Sequence, residues 1–184
     1  MSKAVLISIR PEWAEKIARG EKTVEIRKSR PQLKTPFRAY IYCTEGNLSY
    51  KCPNGMICHC VGGRVVIGEF VCDKIDEIVR IGYMGSREPP KYSVYIGRGK
   101  GDEPIDNLLK EACLTREELE KYLDGGAGCG WHISGLRIYD TPCSLREFTG
   151  LRETEFGTES IKIKRPPMSW YYVEEQNENN RDHE

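Results

Sequence analysis

No apolar stretch in this chain approaches the ~20 residues that a bilayer-spanning helix needs. Nor is there a charged start followed by an apolar signal core, so the expectation is a cytoplasmic protein with no membrane partner. An excess of charge of one sign is also missing, since 28 basic residues balance 28 acidic ones. A protein that coats duplex DNA non-specifically carries a basic excess, so any nucleic-acid contact must come from a local patch. A small or single-stranded ligand fits that balance better than a long duplex. Internal repeats are absent, and paired Cys-x2-4-Cys spacing of the structural zinc kind is absent too. Cysteine itself is not scarce. Eight scattered cysteines in a chain without a leader argue for reduced thiols.

The length of 184 residues suits one domain with a real core. Strand patterns run over 4–9, 23–27, 37–43, 64–72, 131–139 and 169–173, and helical patterns over 11–19, 104–113 and 116–123. Ile105, Leu108, Leu109 and Ala112 form the stripe of a helix packed on a core. Thr115 with Glu118, and Ser144 with Glu147, read as capping boxes. Many short strands with a few covering helices predict an α+β fold, a small mixed β-barrel. Two stretches read as loop insertions, about 44–63 and 81–128. Residues 174–184 read as a disordered acidic tail, which leaves 1–173 as a single domain.

The most informative run is Gly20-Glu21-Lys22-Thr23-Val24-Glu25-Ile26-Arg27. Pro11 can open a helix, and Gly20 can end it as the left-handed residue. After it, Val24 and Ile26 alternate with Glu25 and Arg27, so the pleat puts the two charges on one face. Lys22 stands at the mouth of that face. This small charged set on rigid elements could recognise a polar ligand.

The run resembles the Gly-x-Lys-x-x-Glu-x-Arg signature of ASCH domains, of the PUA-like superfamily, through Gly20, Lys22, Glu25 and Arg27. The opening 3–11, the segment 66–70, and the segments 131–134 and 165–170 resemble that family's strands in order, as bacterial and phage members carry them. The resemblance implies a barrel whose cleft binds RNA or a modified nucleotide. It also implies alternatives: an amidohydrolase on N4-acetylcytidine-like nucleosides, a ribonuclease-like hydrolase, or a protein-interaction domain. Relatives with the amidohydrolase activity use a lysine, a threonine and a distant glutamate. Lys22 matches the lysine and Glu69 is the counterpart of the glutamate, but Glu25 stands where the threonine would be. A carboxylate there repels developing negative charge, which favours binding over turnover.

Glu69 lies within an apolar run, 65–71, where a carboxylate stays neutral or needs a cation, with Lys22 and Arg27 as candidates. The catalytic candidates are therefore Lys22, Glu69 and Glu25, acting without a metal or cofactor. The candidates for holding single-stranded RNA or a nucleoside are Lys22, Glu25, Arg27, Arg30, Tyr42, Trp131 and His132. Tyr40 shares the face of Tyr42, whereas Trp13 and Trp170 read as core. His132 has no acidic neighbour in sequence to orient it. Cys52, Cys58 and Cys60 are the candidates for zinc, but their spacing is not that of a knuckle, so no metal is expected. Gly97 to Gly101 reads as a basic loop at the edge of the cleft. The oligomeric state is not legible.

Overall fold

A computed structural model describes residues 2–82, 90–95 and 101–176. The elements are β1 (Lys3–Ile9), α1 (Pro11–Ala18), β2 (Val24–Arg27), β3 (Phe37–Cys43), β4 (Leu48–Lys51) and β5 (Ile57–Cys60). They continue with β6 (Val65–Ile81), β7 (Lys91–Tyr95), β8 (Asp102–Pro104), α2 (Asp106–Glu111) and α3 (Arg116–Leu123). The chain ends with β9 (Gly128–Ser144), a short 3-10 turn (Leu145–Glu147), β10 (Thr149–Thr154), β11 (Gly157–Lys162) and β12 (Trp170–Glu174).

The α+β class holds, but the strands do not close into the expected barrel. One sheet runs in the order β11-β10-β12-β1-β3-β6-β7-β8, with β9 pairing β6 and β2 off that path. Its pairs are antiparallel except β1 with β3, so it is a mixed sheet. The long β6 carries β3 on one edge as far as Cys72 and then β7 from Glu77, with β9 along the other edge. Register shifts interrupt the β6–β9 ladder at three points. Such bulges bend a strand and let one strand serve two parts of a fold. Gly68 is needed here, because a Cβ on it would lie 2.4 Å from the Arg137 carbonyl oxygen. The close approach that this glycine permits is that of the β9 backbone.

Three buried clusters hold the fold. The largest joins β1, α1, β3, β6 and β9 through Ile7, Ile17, Ile41, Phe70 and Trp131. A second packs Val24 and Ile26 of β2 under Leu108, Leu109, Leu119 and Leu123 of the two later helices. The third gathers Leu6, Tyr40, Tyr42, Tyr139 and Phe148. The predicted stripe of Ile105, Leu108, Leu109 and Ala112 is buried throughout, although α2 is shorter than its pattern. Both capping boxes form.

The stretch 44–63 is a hairpin, β4–β5, packed against α1. Within 81–128 lie β7, β8, α2 and α3, so that segment builds part of the sheet and a helical cover. Glycines 97 and 99, with the rest of 96–100, and residues 177–184 of the expected tail lie outside the described residues. Glu174 belongs to β12, and Glu175 bonds Arg38. No helix among the described residues is long and apolar enough to cross a membrane.

Candidate nucleotide-binding cavity

The turn from α1 to β2 is built as its sequence suggests. Gly20 has φ +72°, its N–H donates to the Ile17 carbonyl, and the Glu21 N–H reaches back to Lys16. Those two bonds make a Schellman ending, which fixes where the next strand leaves the helix. Val24 and Ile26 then enter the helix-covered cluster, and Glu25 and Arg27 turn to the other face.

On that face is a cavity of about 800 Å³. Lys22, Glu25 and Arg27 line it, so the structure brings these three candidates together. Lys22 Nζ lies 3.3 Å from Glu25 Oε2, and Arg27 Nη2 lies 3.0 Å from Glu25 Oε1. All three side chains are nine-tenths or more out of water. Lys22 also donates to the Ala112 carbonyl at the end of α2 (2.7 Å) and stands 5.1 Å from the centre of the Trp13 ring. Burial holds the Lys22 ammonium below its ordinary range, although the Glu25 carboxylate pulls the other way. Arg27 donates from Nη2 to the Ser8 carbonyl, while its buried Nε–H has no partner among the described residues.

The walls come from three places in the chain. Ser8, Arg10, Glu12 and Trp13 border the cavity from β1 and α1, and Glu118, Lys121 and Tyr122 border it from α3. Pro167, Met168 and Ser169 close it from the segment before β12. Five basic and three acidic side chains line it, so a polar ligand of negative charge meets an excess of cations. Lys28 lies over the Tyr122 ring at 5.6 Å, and burial pushes the Tyr122 phenol up.

Several candidates lie elsewhere. Glu69 does not line the cavity; its carboxylate accepts from Arg38 and from the Tyr139 hydroxyl (2.6 Å). The cation beside it is thus Arg38 from the neighbouring strand β3, where sequence reasoning expected Lys22 or Arg27. Trp131 is 0% exposed and packs edge-on against Phe37, so it offers no free face to a base. Tyr42 is 3% exposed in the third cluster and is likewise a core residue. Arg30 lies 4.0 Å from Glu77, away from the cavity lining. His132 Nε2 pairs with Asp76 Oδ2 at 2.7 Å, an orienting acid that the sequence hides because it lies 56 residues away. Burial of Asp76 works against ionisation, yet Lys74 and His132 hold its carboxyl below the usual range.

Cys52 and Cys58 are joined in a disulfide across the β4–β5 hairpin, where free thiols were expected. Cys60 remains free beside them. Among the described residues, no three His, Cys, Asp or Glu side chains group as a metal set.

Sequence reasoning missed Ser8, Lys121, Tyr122 and Met168, and it assigned Trp13 wholly to the core. A signal existed for α3: Glu118, Lys121 and Tyr122 fall at i, i+3 and i+4, opposite the buried Leu119 and Leu123. Nothing local ties 167–169 to this site, because the contact depends on β12 pairing with β1.

Residues 7–76 match the family model described as ASCH domain. No curated protein sequence matches the chain. Among solved structures, the chain is similar to a crystal structure of ASCH from Zymomonas mobilis. The identity is 19% and the TM-score 0.55, over 93% of this chain and 87% of that one. One single-residue mutant of that protein aligns at 18% identity and TM-score 0.55, over 93% of this chain and 88% of that one. A second aligns at 18% and 0.52, over 94% and 91%. These likenesses speak for the fold. The family match covers 7–76, from within β1 into β6, so that part of the chain resembles an ASCH domain and the whole shares the fold of those structures.

Proposed function

We propose that the cavity binds one nucleotide of a single-stranded RNA, or a modified nucleoside. The observation that carries this reading is the meeting of Lys22, Glu25 and Arg27, buried together in one cavity of about 800 Å³. Ligand pockets of roughly 300–1,000 Å³ enclose molecules of nucleotide size. Glu25 accepts one bond on each oxygen from its neighbours, and a carboxylate has about four acceptor sites, so it can take a further bond from an exocyclic amine. Arg27 has donors left over beyond Nη2, and Lys22 has one. Trp13 and Tyr122 supply flat faces for stacking, worth about 1–3 kcal/mol per base.

The test is binding of labelled single-stranded RNA and of acetylated cytidine, followed by anisotropy and calorimetry. Glu25→Gln keeps the shape but alters the acceptor, so the reading expects at least a tenfold loss of affinity. Unchanged affinity in a folded Glu25→Gln protein overturns it.

One observation favours a second reading, a hydrolase. A buried lysine held below its usual range is closer to being a base than an exposed one. In that reading Lys22 and Glu25 act on the bound nucleoside, and Glu69 takes no part. Steady turnover of the bound RNA or acetylated cytidine, lost in Lys22→Met, would establish it.

A further inference from the structure

We propose that the ligand is a polynucleotide strand rather than a free nucleoside, and that residues 162–165 carry its phosphates away from the cavity. This rests on the nucleotide reading of the cavity and adds a second contact surface to it. At the end of β11, Ile161 and Ile163 turn inward while Lys162 and Lys164 are exposed, and Arg165 is exposed after them. Lys162, the last residue of this edge strand, is thus on its outer side, and Lys164 is exposed just beyond the strand. None of the three makes an ion pair or side-chain hydrogen bond among the described residues.

The neighbouring carboxylates are engaged elsewhere. Glu153 pairs with Lys3, Glu159 with Arg152, and Glu174 accepts from Ser160. Three cations thus stand without an ion pair among the described residues, on a protein whose overall charge is zero. Their position matters as much as their charge. The chain continues from Arg165 into Pro167 and Met168, which wall the cavity, and Met168 is fully exposed at its rim. Consecutive Cα atoms are 3.8 Å apart, so Arg165 lies within about 8 Å of Pro167 and Lys162 within about 19 Å. That span covers several phosphates of a strand leaving the cavity over Met168. Lys28 and Lys121, which also line the cavity, are cations that likewise lack an ion pair among the described residues.

A free nucleoside has no use for this segment. A strand releases counterions at each phosphate it brings to a lysine or arginine, which lowers log affinity against log salt by about 0.7 per contact.

The experiment compares the four ribonucleoside 5′-monophosphates with a mixed-sequence ten-nucleotide single-stranded RNA. Both are titrated into the full chain and into the triple variant Lys162→Gln, Lys164→Gln, Arg165→Gln, with equal melting temperature as the control for folding. The expected result is that the decamer binds more tightly than any monophosphate and that the variant leaves the monophosphates unchanged. Its decamer salt slope should fall by about 2, so that between 50 and 200 mM salt the unmodified protein loses roughly 20-fold more affinity than the variant. Equal slopes overturn the proposal. So does a heparin fragment of matched charge that binds as tightly and loses as much in the variant, because the segment is then a general polyanion patch. Monophosphates that bind while the decamer binds no better sink only this inference. A decamer weakened by the triple variant but bound equally well by Glu25→Gln sinks the cavity reading, and with it the claim that the segment leads phosphates out of the cavity.

Discussion

Lys22 Nζ and Glu25 Oε2 lie 3.3 Å apart with both side chains almost wholly removed from water, and Arg27 completes the set on the other carboxylate oxygen. Two buried cations thus share one anion. Removing that anion leaves both unpaired, and breaking a buried pair in this way costs about 3–5 kcal/mol. Glu25→Ala is therefore expected to destabilise the fold more than Lys22→Met, which leaves Arg27 beside Glu25. Urea unfolding of the two variants measures the difference.

The lysine also predicts a pH dependence. Because burial lowers the Lys22 pKa in the folded state, the unfolded chain binds more protons between the folded value and about 10.4. Stability from this site therefore rises as pH increases through that window. The stability of the unmodified protein relative to Lys22→Met should grow as pH rises toward about 10.4. Chemical denaturation at several pH values reads it, and a flat difference would place the amine in a water-like setting.

Much of this site was legible because it is local. The Gly20 ending, the alternation of Val24 and Ile26 against Glu25 and Arg27, and the capping box of Thr115 all follow from neighbours in sequence. What was hidden is long-range. Glu69 was legible as a buried carboxylate, yet its partner depends on β3 lying beside β6, which brings Arg38 rather than Lys22 to it. Trp131 and Tyr42 are aromatics on alternating strands, and only the packing of whole layers decides whether such a ring is core or platform. The barrel expectation failed for a similar reason. Strand patterns give elements, whereas closure depends on which edges pair.

The cysteines divide into two sets. Burial pushes the Cys43 and Cys72 thiols up to about 12, so neither is nucleophilic in the folded protein at pH 8.5. Alkylation followed by mass spectrometry should leave both unmodified until urea is added. Cys52 and Cys58 should resist alkylation even in urea unless a reductant is present. Closing a loop of this size constrains the unfolded chain by roughly 2 kcal/mol, so reduction should lower stability by about that amount.

Glu69 gives a prediction that separates fold from site. Its carboxylate serves Arg38 and Tyr139, away from the cavity. Glu69→Gln should cost about 1–3 kcal/mol of stability through the charged hydrogen bond it loses. RNA affinity should stay within about twofold, a window much smaller than 1.4 kcal/mol per tenfold change. A selective loss of binding would place Glu69 at the ligand.

The most direct measurement uses the three tryptophans as separate reporters. Trp13 lines the cavity, Trp131 is sealed in the core, and Trp170 packs on Tyr172 outside the cavity lining. An NMR titration of indole N–H signals with single-stranded RNA should move Trp13 strongly, while Trp131 keeps its position. A saturable shift at Trp131 or Trp170 with Trp13 unmoved would contradict the account.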